Sequence, residues 1–216
     1  MTAERRPRRD AGQDRVHDLT VLRAIAHPLR NRILDEITAR GTARAADLAQ
    51  ALDIPANQAS FHLRQLAKYG LIEEAPEEAR DRRDRVWRPT SPDGLRLSLD
   101  ELEAQPGGKA AVSVWRRQAS AWGHRLVDEA HYATRAKDAE VVIQDGRLRL
   151  TKEQAMRLSE EVDEVLRAWR RRTGQGADGA RTYSIYLMVQ PYPDGRPAAD
   201  PPQDAEQGAE GADPES

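Results

Sequence analysis

From Leu19 to Gly70, apolar side chains recur every three or four positions, and the pattern is broken at Pro28, Gly41, Pro55 and Gly70. That spacing predicts short helices, each with one face to bury. Leu19, Leu22, Ile25 and Ala26 define the first, which closes at His27-Pro28 because Pro28 suits the first turn of the next helix. Leu29, Ile33, Leu34 and Ile37 define the second, with Gly41 just past its end. Thr42 is the predicted cap of a third, ARAADLAQAL, which turns Ala45, Leu48, Ala49 and Leu52 inward. The tight link Asp53-Ile54-Pro55 leads to a fourth over Ala56–Tyr69, whose inner stripe is Ala59, Leu63, Leu66 and Ala67. Two short helices joined this closely, the second polar on its outer face, predict a helix-turn-helix. Leu71–Glu74 and Arg85–Pro89 then read as two strands, and the polar segment APEEARDRRD between them is too long for a tight turn. A hairpin appended to a helix-turn-helix predicts a wing.

Beyond Pro89 the breakers in TSPDGLRLSLDELEAQPGGKA predict a linker over 91–109. A long helix follows from about Ala110 to Ala136, with Val112, Trp115, Ala119, Trp122, Leu126, Ala130 and Ala133 on one stripe. Two Trp a heptad apart form a large apolar area, to be hidden against a partner chain, against the last helix, or both. Glu140–Leu150 alternates around Asp145-Gly146, a two-residue hairpin signal. Thr151-Lys152-Glu153-Gln154 is a capping box for a helix that buries Ala155, Leu158, Val162, Val165, Leu166 and Trp169. Arg170, Arg171 and Arg172 suit its negative C-terminal end. Thr182–Val189 alternates as a final strand, to pair with the hairpin or across a dimer axis. The expected fold is mainly α with small β (α+β). It comprises a winged helix-turn-helix over 16–90 and a C-terminal helix/hairpin/helix/strand domain over 110–190 that serves dimerisation. Residues 1–15 are expected as a disordered basic leader and 191–216 as a disordered acidic tail, since neither has an apolar period.

The outer face of the fourth helix carries Asn57, Gln58, Ser60, Phe61, Arg64, Gln65 and Lys68, with no acid among them. Amides and Arg can pair bidentately with adenine and guanine edges, and an exposed aromatic can meet a thymine methyl. Phe61 is the only Phe of the chain. The same composition also fits an amphipathic surface helix whose Phe61 packs on a neighbour. In the wing, Arg80, Arg82, Arg83 and Arg85 suit a phosphate backbone. Glu77, Glu78, Asp81 and Asp84 roughly cancel them at long range, so the wing serves only if folding turns the two signs apart. Arg5, Arg6, Arg8 and Arg9 of the leader read either as a backbone contact or as a solvated tail.

Composition removes alternatives more than it adds them. Lys+Arg 34 against Asp+Glu 36 gives a formal net charge of -2, so charge distribution, not total charge, has to mark a nucleic-acid binder. Cys is absent, which rules out disulfides, thiol catalysis and Cys-based metal sensing. His124 and His131 lie a heptad apart, not on adjacent turns, and His17, His27 and His62 are scattered, so no metal is expected. With no glycine-rich phosphate loop and no Ser elbow, neither a cofactor nor a catalytic residue is expected, and the protein is read as no enzyme. No apolar run is long enough to span a membrane and no secretion signal opens the chain, so a cytoplasmic location is expected. Lys68, Lys109, Lys137 and Lys152 are the only lysines, an Arg bias that fits a GC-rich bacterial genome.

The runs AIAHPLRNRILDEI, ARAADLAQAL, ASFHLRQLAKYGLIEEA and RVWRP, in that order and spacing, resemble the winged-helix domain of ArsR-type bacterial transcriptional regulators. The likeness covers roughly Leu19 to Pro89 and is closest to the subset with a Ser-aromatic-His-Leu-Arg signature in the recognition helix. It implies double-stranded DNA as the partner, with Asn57, Ser60, Phe61 and Arg64 at recognition positions and Arg30 at a position that touches backbone. His62 matches the signature too, and its place beside the apolar stripe suits packing or phosphate contact. The chain departs from the metal-sensing members by having no Cys. The sequence therefore predicts a homodimeric, sequence-specific DNA-binding transcription regulator. Two alternatives stay open: a protein-interaction module anchored by Phe61, and a small-molecule-gated repressor with Trp115, Trp122 and Trp169 around an effector.

Overall fold

In the computed structural model the described residues are 15–16, 18–80, 85–134, 137–173 and 179–192. Their order is β1 (Arg15–Val16), α1 (Leu19–Ile25), α2 (Pro28–Arg40), β2 (Ala43–Arg44), α3 (Ala45–Leu52), α4 (Ala56–Lys68), β3 (Ile72–Glu74), β4 (Val86–Pro89), β5 (Arg96–Leu97), α5 (Leu99–Glu103), α6 (Gly108–Tyr132) and α7 (Lys152–Thr173). A three-stranded antiparallel sheet, β2-β4-β3, pairs Ala43 with Trp87 and Ile72 with Pro89, and β1 runs parallel to β5. The result is an α+β fold, mostly helical, with the winged arrangement the sequence predicts.

Local chemistry sets the helix ends. Asp18 caps α1 by accepting from the Thr20 N–H at 2.7 Å, and Pro28 opens α2. The α3–α4 turn is built on Asp53 at φ 52°, a left-handed conformation that Asp tolerates better than most residues. From there the Ile54 N–H returns to the Ala49 carbonyl at 3.0 Å. Gly70, at φ 68°, ends α4, and the Leu71 N–H bonds the Leu66 carbonyl at 3.1 Å. At α7 the Thr151 box forms as expected: the Thr151 N–H donates to Gln154 Oε1 at 2.8 Å, and the Gln154 N–H to Thr151 Oγ1 at 3.2 Å.

Ile33, Ile37, Leu48, Leu63 and Leu66 meet in one core under the sheet edge, all of them essentially inaccessible. That core does not stop at Pro89. The segment expected as a linker holds β5 and α5, and Leu102 of α5 is fully buried in the same cluster as Val112 of α6. Gly108 admits this junction, because a Cβ there would overlap the Leu102 carbonyl. The breakers of 91–109 thus shape tight turns between packed pieces rather than a free tether.

Two other expectations change. Thr42 does not cap α3; residues 43–44 form β2, and Arg44 is the N-cap, its own N–H held by Asp47 Oδ2 at 3.0 Å. Residues 140–150 and 182–189, expected as a hairpin and a final strand, lie without regular secondary structure. Strands need a ladder to satisfy their backbone groups, and here the two segments meet through a side chain instead, Tyr183 Oη accepting from the Glu140 N–H at 3.3 Å. The expected leader falls almost wholly outside the described residues, as does all of the expected tail beyond Tyr192.

Candidate nucleic-acid interface

α4 is docked by Ala59, Leu63 and Leu66, whose spacing aims the opposite side at solvent. Asn57, Gln58, Phe61, Arg64 and Lys68 stand there exposed, while Ser60 and Gln65 are half-buried at its flanks. Phe61 is 50% exposed, an unusual position for the sole Phe of a chain whose other core residues are well hidden. Its ring stands edge-on to that of His62, 5.2 Å between centroids.

His62 itself is buried, so of the two roles open to it the structure gives packing. Its ring lies 4.9 Å from that of His27, the N-cap of α2, whose Nδ1 accepts from the Arg30 N–H at 3.4 Å. Burial, and then the nearby Arg30 charge, hold His27 below the usual imidazole range. Burial, followed by His27 and Arg30, does the same to His62. Both rings are therefore neutral near pH 7 and act as packing that braces α4 against the α1–α2 corner.

Arg30 is turned inward. Its Nε donates to the Ala24 carbonyl at 2.6 Å and its Nη2 to the Arg23 carbonyl at 3.0 Å, with Tyr69 beneath the guanidinium at 6.0 Å. At the end of α1 the Ala24 carbonyl takes only a long backbone bond, from the His27 N–H at 3.5 Å, and Arg30 adds a closer donor. The backbone contact expected of it competes with that service.

A notch of about 310 Å³ opens between α4, the start of α3 and the wing, lined by Arg44, Ser60, Leu63, Arg64, Arg85 and Trp87. Strand alternation sorts the charges around it. Arg85 shares a face with Trp87 and sits 3.7 Å from Glu74. Arg88, on the other face, binds Glu73 at 2.8 Å and also Glu77. Glu73 and Glu77 are thereby held on the side away from the notch, while Glu74 stays beside Arg85. Arg80 is exposed; Asp81, Arg82, Arg83 and Asp84 lie outside the described residues.

Arg44 is the member of this group that sequence reasoning missed. Helical spacing puts it in the first turn of ARAADLAQAL, and nothing local signals β2. The available signal was Asp47, three residues on, an acid placed to take the N–H of a cap residue. Arg44 also reaches 3.7 Å from the Asp47 carboxylate and donates to the Glu78 carbonyl at 3.4 Å, which ties the start of α3 to the wing.

Among the described residues no group of three or more His, Asp or Glu is placed to hold a metal ion, and no helix is long and apolar enough to cross a membrane. A family model for a helix-turn-helix domain matches residues 25–75, from the end of α1 to just past β3. No curated protein and no solved structure matches the chain. The matched span contains α3, the turn and α4 with its exposed face, and it supports DNA as the partner and transcription regulation as the setting.

Proposed function

We propose that this protein is a sequence-specific, non-enzymatic regulator of transcription of the ArsR-like winged-helix type. In this reading it works in the bacterial cytoplasm and binds double-stranded DNA as a homodimer. The observation that carries this is the exposed row Asn57, Phe61, Arg64 and Lys68 on a helix with no carboxylate, mounted on a matched helix-turn-helix. α4 enters the major groove, where Asn57, Gln58, Ser60, Phe61 and Arg64 meet base edges and Lys68 the backbone. Arg44 and Arg85, together with Arg82 and Arg83, supply the salt-dependent phosphate contacts. Arg30 holds the α1–α2 corner behind them.

Pairing of two copies would place two such helices about 34 Å apart on a two-fold site. Its surface is the apolar one that the chain leaves open, from Val142 to Leu150 and from Tyr183 to Val189. Retention of fragments of the source genome by the purified protein, followed by sequencing, tests the reading. Arg64→Ala should then lose about 1–3 kcal/mol on the retained sequence and far less on random duplex. Equal losses would remove Arg64 from base reading. Binding insensitive to ionic strength would favour instead a protein partner anchored on Phe61.

A second reading, compatible with the first, is gating by a small molecule. It is favoured because Trp115, Trp122 and Trp169, from two different helices, line one cleft.

A further inference from the structure

The cleft lies between α2, the segment 91–97, α6, α7 and the segment 180–186, and measures about 1650 Å³. Compared with the roughly 300–1,000 Å³ of drug-sized sites, it has room for a guest of several linked or fused rings. Its aromatic side is Trp115 and Trp122 of α6 with Trp169 of α7. Indole faces carry the negative pole of a quadrupole, so several of them around one space favour a flat guest with positive charge. The outer two already hold cations of the protein: the Arg125 guanidinium is 5.8 Å from the Trp122 ring centre, and that of Arg172 is 5.5 Å from Trp169.

The acids of the cleft are not equivalent. Glu36 is held by Arg40 at 2.6 Å, Asp163 by Arg96 and Arg167, Asp93 has Arg171 3.9 Å away, and Glu78 belongs to the exposed wing. Asp35, on α2, accepts from the neutral Asn31 amide at 2.9 Å and has no ion pair among the described residues. Its side chain meets solvent inside the cleft while protein stands around it on most sides. That desolvation pushes its carboxyl up to about 6, with Arg170 pulling the other way and Glu36 adding to the rise. Such a carboxylate gains from an incoming cation what its neighbours already have. Of the arginines that also line the space, Arg40, Arg96 and Arg181 are paired with Glu36, Asp163 and Asp138, and Arg170 donates to the Asp93 carbonyl at 2.8 Å.

We propose that this cleft binds an amphipathic organic cation, with its rings among Trp115, Trp122 and Trp169 and its positive centre at Asp35. The inference rests on the small-molecule reading above and names its ligand class; it does not depend on DNA binding. The test uses the full-length protein and three probes of similar shape: tetraphenylphosphonium, the isosteric anion tetraphenylborate, and neutral triphenylphosphine oxide, each followed by tryptophan fluorescence. Saturable quenching by the phosphonium is expected, with the other two weaker by about tenfold or more. Asp35→Asn should cost the phosphonium about tenfold while leaving the far-ultraviolet spectrum and melting temperature unchanged. Trp169→Leu, at an exposed position, should weaken it as well. Borate or oxide binding as tightly as the phosphonium, or an unchanged affinity in Asp35→Asn, overturns the cation assignment and leaves a less selective pocket. No saturable quenching by any probe removes both the assignment and the small-molecule reading, with genomic-fragment retention as the separate measure of DNA binding.

Discussion

Leu48 and Val165 occupy equivalent places in their sequences, each an aliphatic residue on the inner stripe of an amphipathic helix. Leu48 is wholly buried and Val165 is 56% exposed. The same contrast separates the regions around them. Between Leu19 and Val112, short helices cross a small sheet and every apolar stripe finds another within the chain. From Trp115 onward, α6 and α7 carry equally regular stripes, yet α7 has no buried residue, and Ile143, Leu148, Ile185 and Leu187 stand open. Periodicity establishes that a face is made for contact; it does not say whether the partner is the same chain, a second copy or a ligand. In the first region the connections are only a few residues long and force neighbours together, whereas α6 and α7 are long and separated by a segment without a ladder.

The largest effect should come from truncation on the packed side. Leu63→Ala removes a fully buried side chain and is expected to cost about 2–5 kcal/mol in urea unfolding, against under about 0.5 kcal/mol for Val165→Ala in dilute protein. Similar costs at the two sites would erase the distinction. At the junction, Gly108→Ala drives a methyl group into the Leu102 carbonyl and should lower stability by about 1–3 kcal/mol. A melting temperature equal to the parent's would mean that α6 is not anchored in the first core.

Comparable in size, but on binding, Arg44→Ala should weaken cognate and random DNA alike, by about 1 kcal/mol, and reduce the slope of log affinity on log salt by about one. A loss confined to cognate DNA would move Arg44 from backbone to base contact. On the open side, Ile185→Asp should leave dilute stability within about 0.5 kcal/mol and yet shift sedimentation toward the single chain. If association persisted undiminished, the proposed pairing surface would have to lie elsewhere.

The smallest effect expected is on pH. His27 and His62 titrate in the folded protein below their ordinary value of 6.5, so their packing contributes fully above that pH. The contribution declines as pH falls through 6.5 toward the lower folded values, because the unfolded chain then takes up protons that the stacked rings resist. Melting temperatures from pH 7.5 down to 5 should fall less steeply in His62→Gln than in the parent. A parallel decline would take the pair out of the balance.

The helices and their order were legible in the chain because each depends on neighbours three or four residues away. Pro28, Gly41, Pro55 and Gly70 punctuate them, and within Ser60-Phe61-His62-Leu63-Arg64 the helical spacing turns Phe61 and Arg64 outward and Leu63 inward. What depended on distant partners was not legible. β2 exists because Ala43 and Arg44 meet Trp87 and Val86 across the sheet, and that pairing carries Arg44 to the notch with Arg64 and Arg85. Arg30 folds back because the carbonyls of Arg23 and Ala24 at the end of α1 lie beside it, and residues 99–103 join the core because α5 packs on α6 and buries Leu102. The expected strands at 140–150 and 182–189 had the right alternation and no ladder within the chain to complete them. Local spacing decided which faces this protein would present; only the folded chain decided what each face would meet, since burial is a property of pairs of surfaces and sequence periodicity describes one surface at a time.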